Sequence, residues 1–256
     1  MTAGTHTTHG THAQVPDGAP NETPGLDLSE RGRGAAGPIR LDRRLFMRLT
    51  TFTGCADVRP LVDALQASSI AGVLYEDVTD PRGVALLTFS EDPAYFLEDV
   101  AAVLRGPAFR DLVLRPQLSM LGRSYSIGYE SDLEDTLIHR PIARVLDRSM
   151  PWAVWYPLRR TGAFAQLPFD EQRALLAEHG TLGRTFGEGG HAQDIRLACH
   201  GLDTNDNDFV VGLLGPKLHP LSALVQQMRT TQHTALYLDR IGPFFVGRAA
   251  WQSPTS

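Results

Sequence analysis

The chain has 256 residues, of which 42% are hydrophobic and 21% charged, with a formal net charge of −5. This is the composition of an ordinary globular protein with enough residues for a buried core. The sequence contains no block of five or more basic residues and no apolar run of membrane length, so we expect neither a nucleic-acid partner nor a membrane span. Cys55 and Cys199 lack CxxC spacing. Solitary cysteines fit a reducing compartment, and we predict a cytoplasmic protein.

The first part of the chain has an unusual composition. Residues 1–40 are rich in Thr, Gly, Pro and His and poor in large apolar side chains. Such a segment cannot bury enough surface to offset its ordering entropy, so we predict a disordered tail over 1–40. His6, His9 and His12 recur within it. Metal capture by these side chains is an alternative, although the composition favours a solvated tail.

Residues 41–131 show the order strand, helix, strand, strand, helix, strand. The predicted strands are LFMRLTTF, GVLYEDV, GVALLTF and SYSIGYE, rich in β-branched and aromatic residues. The predicted helices are the amphipathic segment VRPLVDALQAS and the segment that follows SEDP. This order defines a first βαββαβ unit.

The same order returns in residues 151–250, after a partly helical connector over 132–150. The second unit comprises the strand WAVWYPL, the helix FDEQRALLAEHG, the hairpin DIRLACHGL–DFVVGLL, the helix PLSALVQQMRTT and the strand-rich TALYLDRIGPFFVG. We therefore predict an α+β protein of two tandem ferredoxin-like (βαββαβ) units. Helices cover one face of each sheet, so the open faces must be covered by each other or by neighbouring subunits, as in a dimeric α+β barrel.

His179 is the first candidate for chemistry. It lies in the last turn of the predicted helix over 169–180, with Gly180 placed to cap the helix. Leu175 and Leu176 share its face, so the imidazole should point toward apolar surroundings. Two interpretations stay open: a histidine that stabilises a helix end through the dipole, or the axial ligand of a haem iron.

Tyr156 is the second candidate. Strand alternation places Trp155 and Tyr156 on opposite faces, so one of them should face away from the helix-packed core, toward the open sheet surface. Arg159 and Arg160 follow directly. Paired arginines at a strand end suit carboxylate recognition, although such pairs are also common on surfaces.

The chain resembles the chlorite dismutase family, and within it the coproheme decarboxylases (hydrogen-peroxide-dependent haem synthases). The similarity covers residues 45–247 and is sharpest in YPLRR, RALLAEHGTLGRTF, GLDTNDNDFVVGL, VQQMR and GPFFVG. The resemblance implies two ferredoxin-like units per subunit, ring-shaped homopentamers and a haem-type ligand. It also implies hydrogen peroxide and Fe-coproporphyrin III as substrates and haem b as the product.

The resemblance also implies roles for individual residues. His179 matches the proximal haem ligand, Tyr156 the radical-forming tyrosine, and Arg160 a basic residue near the porphyrin propionates. Gln232 stands where relatives carry an acid that orients the proximal histidine. The substrate would itself be the redox centre, so no separate cofactor is required.

The residue on the opposite side of the iron is left open. Counting back from the GLD hairpin gives Asp194, where chlorite dismutases have arginine, and His191, Gln193 and Arg196 are rivals. Two alternatives to decarboxylation follow. One is a haem-binding peroxidase-like or chlorite-dismutase-like protein without decarboxylase activity. The other is a haem-free ferredoxin-like oligomer that acts as a binding module.

Overall fold

The computed structural model describes residues 25–254. The strands are β1 (Glu30–Gly34), β2 (Gly37–Leu41), β3 (Phe46–Thr53), β4 (Gly72–Asp77), β5 (Val84–Ser90), β6 (Val113–Leu114), β7 (Met120–Ser124), β8 (Trp152–Arg160), β9 (Gln193–Ala198), β10 (Phe209–Gly215), β11 (Leu238–Ile241) and β12 (Phe245–Gln252). The helices are α1 (Arg59–Gln66), α2 (Asp99–Leu104), α3 (Arg140–Leu146), α4 (Gly162–Gln166), α5 (Phe169–Glu188), α6 (Leu218–Met228) and α7 (Gln232–Tyr237).

Eight strands form a closed antiparallel barrel. The first unit has the strand order β7-β3-β5-β4 and the second the order β9-β10-β8-β12. Numbered within each unit, the first order is 4-1-3-2 and the second is the same order read from the other edge, 2-3-1-4, which is that of a ferredoxin-like sheet. The units join edge to edge where β7 pairs with β9 and β4 pairs with β12. The predicted fold class is therefore confirmed, and the two open sheet faces cover each other inside the barrel.

The barrel interior is a continuous apolar core. Trp155, Tyr75 and Phe245 fill it, each no more than 1% exposed. Gly212 lies opposite Trp155 in the β10–β8 register, and a Cβ there would meet the indole ring at 2.5 Å. The glycine is needed because the indole ring occupies the space above it. Leu137 and Val145 of the connector pack against the same core.

The helices lie on the outside of the barrel. Those of the first unit pack tightly, with Leu61 and Leu65 of α1 and Val100 of α2 buried. The second unit differs, because all 20 residues of α5 are half-buried or exposed. Its longest helix thus stands off the sheet. No helix within residues 25–254 is both long and apolar enough to span a bilayer.

The prediction of a disordered tail is wrong for residues 30–40, because residues 30–41 form the hairpin β1–β2. Polar contacts hold it in place: Glu30 accepts a hydrogen bond from the Ser126 N–H at 2.9 Å, and the Arg33 N–H donates to the Glu130 carbonyl at 2.8 Å. Composition missed the hairpin because backbone and charged groups anchor most of it, while Ile39 and Leu41 pack on the apolar core. The three tail histidines lie outside the described residues.

The predicted strand SYSIGYE is also displaced, because the closing strand of the first unit ends at Ser124. The Glu130 carboxylate accepts hydrogen bonds from the N–H groups of residues 127–129, and Gly128 has a φ of 92°. These N–H groups are satisfied locally and do not join a ladder. The segment 125–130 is therefore a loop.

Two boundaries in the second unit differ from prediction. The helix expected to end at Gly180 runs on to Glu188, because the left-handed residue that ends it is Gly190, with a φ of 66°. The TALY segment, predicted as strand, lies within α7, where Thr231 caps the helix by accepting from the Thr234 N–H. In the connector, Asp135–His139 forms a π-helical turn that leads into α3.

Candidate functional site

A large cavity lies between α5 and the outer face of the second unit's sheet. Its volume is about 900 Å³, within the range of roughly 300–1,000 Å³ typical of small-molecule sites. Strands β8, β9 and β10 form one wall, α5 the opposite wall, and α3 and α6 contribute to the sides. The cavity explains why α5 buries no residue: the space that a tightly packed helix would fill is open.

The helix wall contains one histidine and three glycines, besides Arg184 and Glu188. His179, Gly180, Gly183 and Gly187 all line the cavity, and the spacing of three and four residues places them on one face. A Cβ added at Gly180 would meet no described heavy atom within 4 Å. Glycine in a helix interior costs about 0.5–1 kcal/mol relative to alanine. The absence of side chains on this surface therefore lowers the stability of the helix.

The sheet wall carries Tyr156. Tyr156, Val211 and Arg196 stand in one row across β8, β10 and β9, and all three line the cavity. Trp155 faces the barrel interior, as alternation requires. The expected direction was wrong in one respect: the face that bears Tyr156 is the helix-covered one, and the sheet surface that seemed open is the barrel core.

Tyr156 is buried and packs on Phe244, with ring centroids 4.8 Å apart. Burial raises the pKa of Tyr156 above its ordinary value, and the negative charge of Asp194 raises it further. The phenol is therefore fully protonated at neutral pH. Burial disfavours the charged phenolate, so a phenol in this cavity wall is oxidised by losing an electron and a proton together.

Asp194 lies on the same wall between two arginines. Its carboxylate is 3.2 Å from Arg144 Nη1 and 3.1 Å from Arg196 Nε, and Arg144 also donates to the Asp194 carbonyl. Of the rivals, Gln193 and Arg196 also line the cavity, whereas exposed His191 packs beside Phe186 and is not part of the described lining. The polar group opposite α5 is thus an Arg–Asp–Arg cluster.

His179 is half-buried, and its Nδ1 lies 3.4 Å from the Thr231 hydroxyl. Burial lowers the pKa of His179, and the positive charges of Arg196 and Arg160 lower it further, so the ring is neutral at pH 7. A neutral imidazole is the form that binds a metal. Gln232 does not occupy the orienting position that the resemblance implied: it is exposed, and its N–H donates to Glu178 at 3.1 Å.

Arg160 does not take part in the lining formed by the described residues. Its guanidinium lies between the rings of Phe164 and Phe209, 4.6 and 4.5 Å from their centroids. Nε donates to His233 Nε2 at 3.1 Å. Burial lowers the pKa of His233 to about 4, and the charge of Arg160 adds to the effect. The expected role of Arg160 beside the propionates has no support in this geometry, because both aromatic rings hold it behind the wall.

The residues present fit a flat iron porphyrin. One wall offers a neutral histidine on a bare glycine surface where added Cβ atoms would occupy the cavity. About half of the remaining lining is aliphatic, with Leu158, Leu213 and Met228 among its members, and most of the other lining residues are charged. One nitrogen ligand and an apolar slot are what a haem requires from a protein.

Sequence reasoning missed Arg144 and Thr231. Arg144 belongs to the connector, 50 residues before Asp194, and no local pattern indicates that the connector reaches the site. Thr231 was passed over for its neighbour Gln232, although the Thr-x-x-Thr spacing at the start of α7 is an N-cap signal. That signal would have placed the Thr231 hydroxyl at a helix start, whereas its position beside α5 is a tertiary contact.

Within the described residues, the fold is a dimeric α+β barrel with a ligand-sized cavity on the outer face of the second unit. The family described as chlorite dismutase matches residues 87–250, which is more than half of the chain. The protein belongs to the chlorite dismutase family.

Solved structures of low sequence identity share the fold. A haem-binding protein from Thermus thermophilus is 21% identical, with a TM-score of 0.60 over 82% of this chain and 92% of the other. A variant of the chlorite dismutase of Candidatus Nitrospira defluvii is 16% identical, with a TM-score of 0.63 and the same coverage of 82% and 92%. The barrel is thus retained while most side chains differ.

Proposed function

We propose that the protein is a haem-dependent oxidoreductase that converts Fe-coproporphyrin III to haem b with hydrogen peroxide. The observation that carries the proposal is the placement of His179 and Tyr156 on opposite walls of one cavity of about 900 Å³. His179 would be the axial ligand and Tyr156 the residue that oxidises the substrate side chain. The proposal includes a cytoplasmic location and a homo-oligomer, with a pentamer expected from the family resemblance.

The overall reaction balances with one peroxide for each propionate. The side chain –CH₂CH₂COO⁻ becomes –CH=CH₂ and loses CO₂, one proton and two electrons. Hydrogen peroxide accepts the two electrons and, with two protons, becomes two water molecules. When bound, the iron porphyrin supplies the centre at which peroxide is reduced, and the protein supplies position, charge and the tyrosine.

Tyr156 and Asp194 have complementary tasks in this proposal. The Tyr156 phenol gives one electron and its proton toward the reduction of hydrogen peroxide, then takes a hydrogen atom back from the propionate chain. The chain then loses CO₂ together with its second electron, which also goes to the reduction of peroxide. Asp194 is the nearby carboxylate whose negative charge acts on Tyr156, and in this proposal that charge stabilises the positive charge that develops as the phenol gives up its electron. Its ion pairs with Arg144 and Arg196 fix its direction in the wall.

The charge of the lining suits an anionic substrate. Four arginines line the cavity, Arg140, Arg144, Arg184 and Arg196, against the carboxylates of Asp147, Glu188 and Asp194. The balance is one positive charge, in surroundings of reduced polarity where charge–charge attraction is stronger than in water. Guanidinium groups bind carboxylates through paired hydrogen bonds, so these arginines replace Arg160 as the candidate propionate contacts.

The test is product analysis after ferric coproporphyrin and peroxide are mixed with the purified protein. The wild type should yield the monovinyl and divinyl porphyrins. Tyr156→Phe should bind the porphyrin but form neither product, while Tyr129→Phe, which changes an exposed tyrosine outside the cavity, should behave as wild type. Normal turnover by Tyr156→Phe would remove the tyrosine from the mechanism, and unchanged porphyrin in the wild type would refute the proposal.

The Arg–Asp–Arg cluster favours a second candidate, a haem protein that acts on a small anionic oxidant without decarboxylation. Arg144 and Arg196 outnumber the one carboxylate between them, and local positive charge concentrates anions. Oxygen release from chlorite by the haem-loaded protein, with coproporphyrin left unchanged, would support this candidate over the first.

A further inference from the structure

The surroundings of His179 offer few acceptors for its Nδ1 proton. His233 is the nearest ring, with centroids 5.3 Å apart and planes at 68°. Its Nε2 already accepts from Arg160 at 3.1 Å, so a neutral His233 carries its proton on Nδ1 and is a donor there. His233 therefore has no free lone pair for His179. Gln232 is exposed, its bond to Glu178 is made by its backbone N–H, and no hydrogen bond among the described residues joins its side chain to His179.

Thr231 supplies the acceptor that His233 lacks. The threonine is 5% exposed, and its hydroxyl donates to the Met228 carbonyl at 2.8 Å. A hydroxyl has one proton and two lone pairs, so this bond uses the proton and leaves the oxygen as an acceptor. The Thr234 N–H and His179 Nδ1, each at 3.4 Å, and the Thr234 hydroxyl, at 3.2 Å, face this oxygen, and the Met228 carbonyl is the nearest acceptor for its proton.

The proton must then sit on Nδ1 of His179. Since the Thr231 hydroxyl has its own proton committed to Met228, it can only accept from the ring. The imidazole is neutral when one nitrogen carries a proton and the other a lone pair, so Nε2 holds the lone pair. His179 lines the cavity, and its metal-binding nitrogen is therefore prepared before any ligand arrives.

We propose that Thr231 is a positioning residue: its hydroxyl fixes His179 in the Nδ1–H tautomer and, as a neutral acceptor at long distance, keeps the imidazole a weak electron donor to a bound iron porphyrin. The inference rests on His179 being the axial ligand of the proposed function. A carboxylate in the same place would draw the Nδ1 proton toward itself and increase the basicity of Nε2. Thr231 lacks that charge, so the ferric form of the iron gains less stabilisation.

The side chain at 231 can be varied without loss of the helix cap. Ser and Asp both serve as N-caps, so Thr231→Ser keeps the cap and the neutral acceptor, while Thr231→Asp keeps the cap and makes the acceptor negative. Thr231→Val keeps the shape but removes the acceptor for His179 and, with it, the α7 cap, so Ser is its matched control. The series separates hydrogen bonding to His179 from stabilisation of α7.

The first measurement uses the ligand-free protein. Nitrogen NMR of the His179 ring should show the Nδ1–H tautomer in the wild type and in Thr231→Ser, and a shift toward Nε2–H in Thr231→Val. A wild-type ring protonated on Nε2, or a valine variant indistinguishable from wild type, would overturn the inference. This result does not depend on any reaction, so failed decarboxylation would count against the proposed function alone.

The second measurement uses the haem-loaded protein. Loss of an outer hydrogen bond to a ligand typically weakens metal affinity about 10- to 100-fold, so Thr231→Val should bind haem that much more weakly and Thr231→Ser should restore binding. The ferric/ferrous midpoint potential should be lowest in Thr231→Asp. A purely structural role would leave the potentials of wild type, Ser and Asp equal, and that outcome contradicts the inference even if the valine variant fails to fold.

Discussion

The bare glycine surface of α5 permits a prediction in which helix stability and ligand binding change in opposite directions. A Cβ at Gly180 meets no described atom within 4 Å, and Gly180 lines the cavity. Gly180→Ala therefore removes the flexibility cost of glycine without a steric penalty. The gain should be about 0.5–1 kcal/mol in the free energy of unfolding of the ligand-free protein. For a chain of this size that is roughly 1–4 °C in Tm.

A larger side chain at the same place should occupy the space that the porphyrin needs. Gly180→Leu adds four carbon atoms on the face that carries His179. Forcing extra carbons into a filled site costs about 1–3 kcal/mol, which is roughly a 5- to 150-fold increase in Kd for the porphyrin. Ala177→Leu is the matched control, since Ala177 is exposed and lies outside the described lining.

Urea unfolding of the ligand-free variants and spectroscopic titration with haem measure the two effects. Destabilisation by Gly180→Ala would show that the helix face is closed in solution. Equal haem affinity in Gly180→Leu, Ala177→Leu and wild type would show that the porphyrin does not lie against this face of α5. It would then also exclude His179 as the ligand of the iron.

Three further changes test other parts of the molecule. His179→Ala should weaken haem binding by more than the roughly 10- to 100-fold expected for an outer hydrogen bond, and an unchanged Soret titration would exclude the residue as ligand. The pKa of His233 is about 4 in the folded protein against a usual 6.5, so below pH 6.5 the unfolded chain binds more protons, and stability falls by roughly 2 kcal/mol between pH 7 and pH 5. In His233→Gln this part of the loss should be absent from urea unfolding curves measured at the two pH values. Gly212→Ala should cost about 1–3 kcal/mol, because the new Cβ meets the Trp155 ring at 2.5 Å, and a melting temperature equal to wild type would contradict that packing.

Element type was largely readable from the sequence, and element ends were less so. The two βαββαβ units follow from apolar periodicity and turn residues, and the structure has them in the expected order. Gly180 was read as a helix end because glycine often follows one, whereas the left-handed residue is Gly190. The presence of glycine in a sequence does not reveal whether its φ is positive or negative. In α5 the glycines serve the cavity surface, which is a tertiary requirement.

Candidate residues were easier to choose than their neighbours. His179 and Tyr156 were chosen from their types and positions, and the structure places both on one cavity. Their surroundings come from distant segments: Arg144 reaches Asp194 from the connector, and Thr231 reaches His179 from 52 residues away. Arg160 shows the opposite case, since a cation at the right place in the sequence is held behind the wall by Phe164 and Phe209.

The amino-acid sequence by itself determined the repeated unit, the alternation that separates Trp155 from Tyr156, and the histidine available for a metal, because periodicity and residue chemistry are local properties. Only the tertiary structure decided that the two sheets close edge to edge, and hence that the face bearing Tyr156 lies under α5. The physical reason is that closure pairs strands far apart in the chain and buries one face of every strand. Alternation within a strand separates its side chains into two faces, but only the closure of the barrel decides which face meets the core and which meets the cavity.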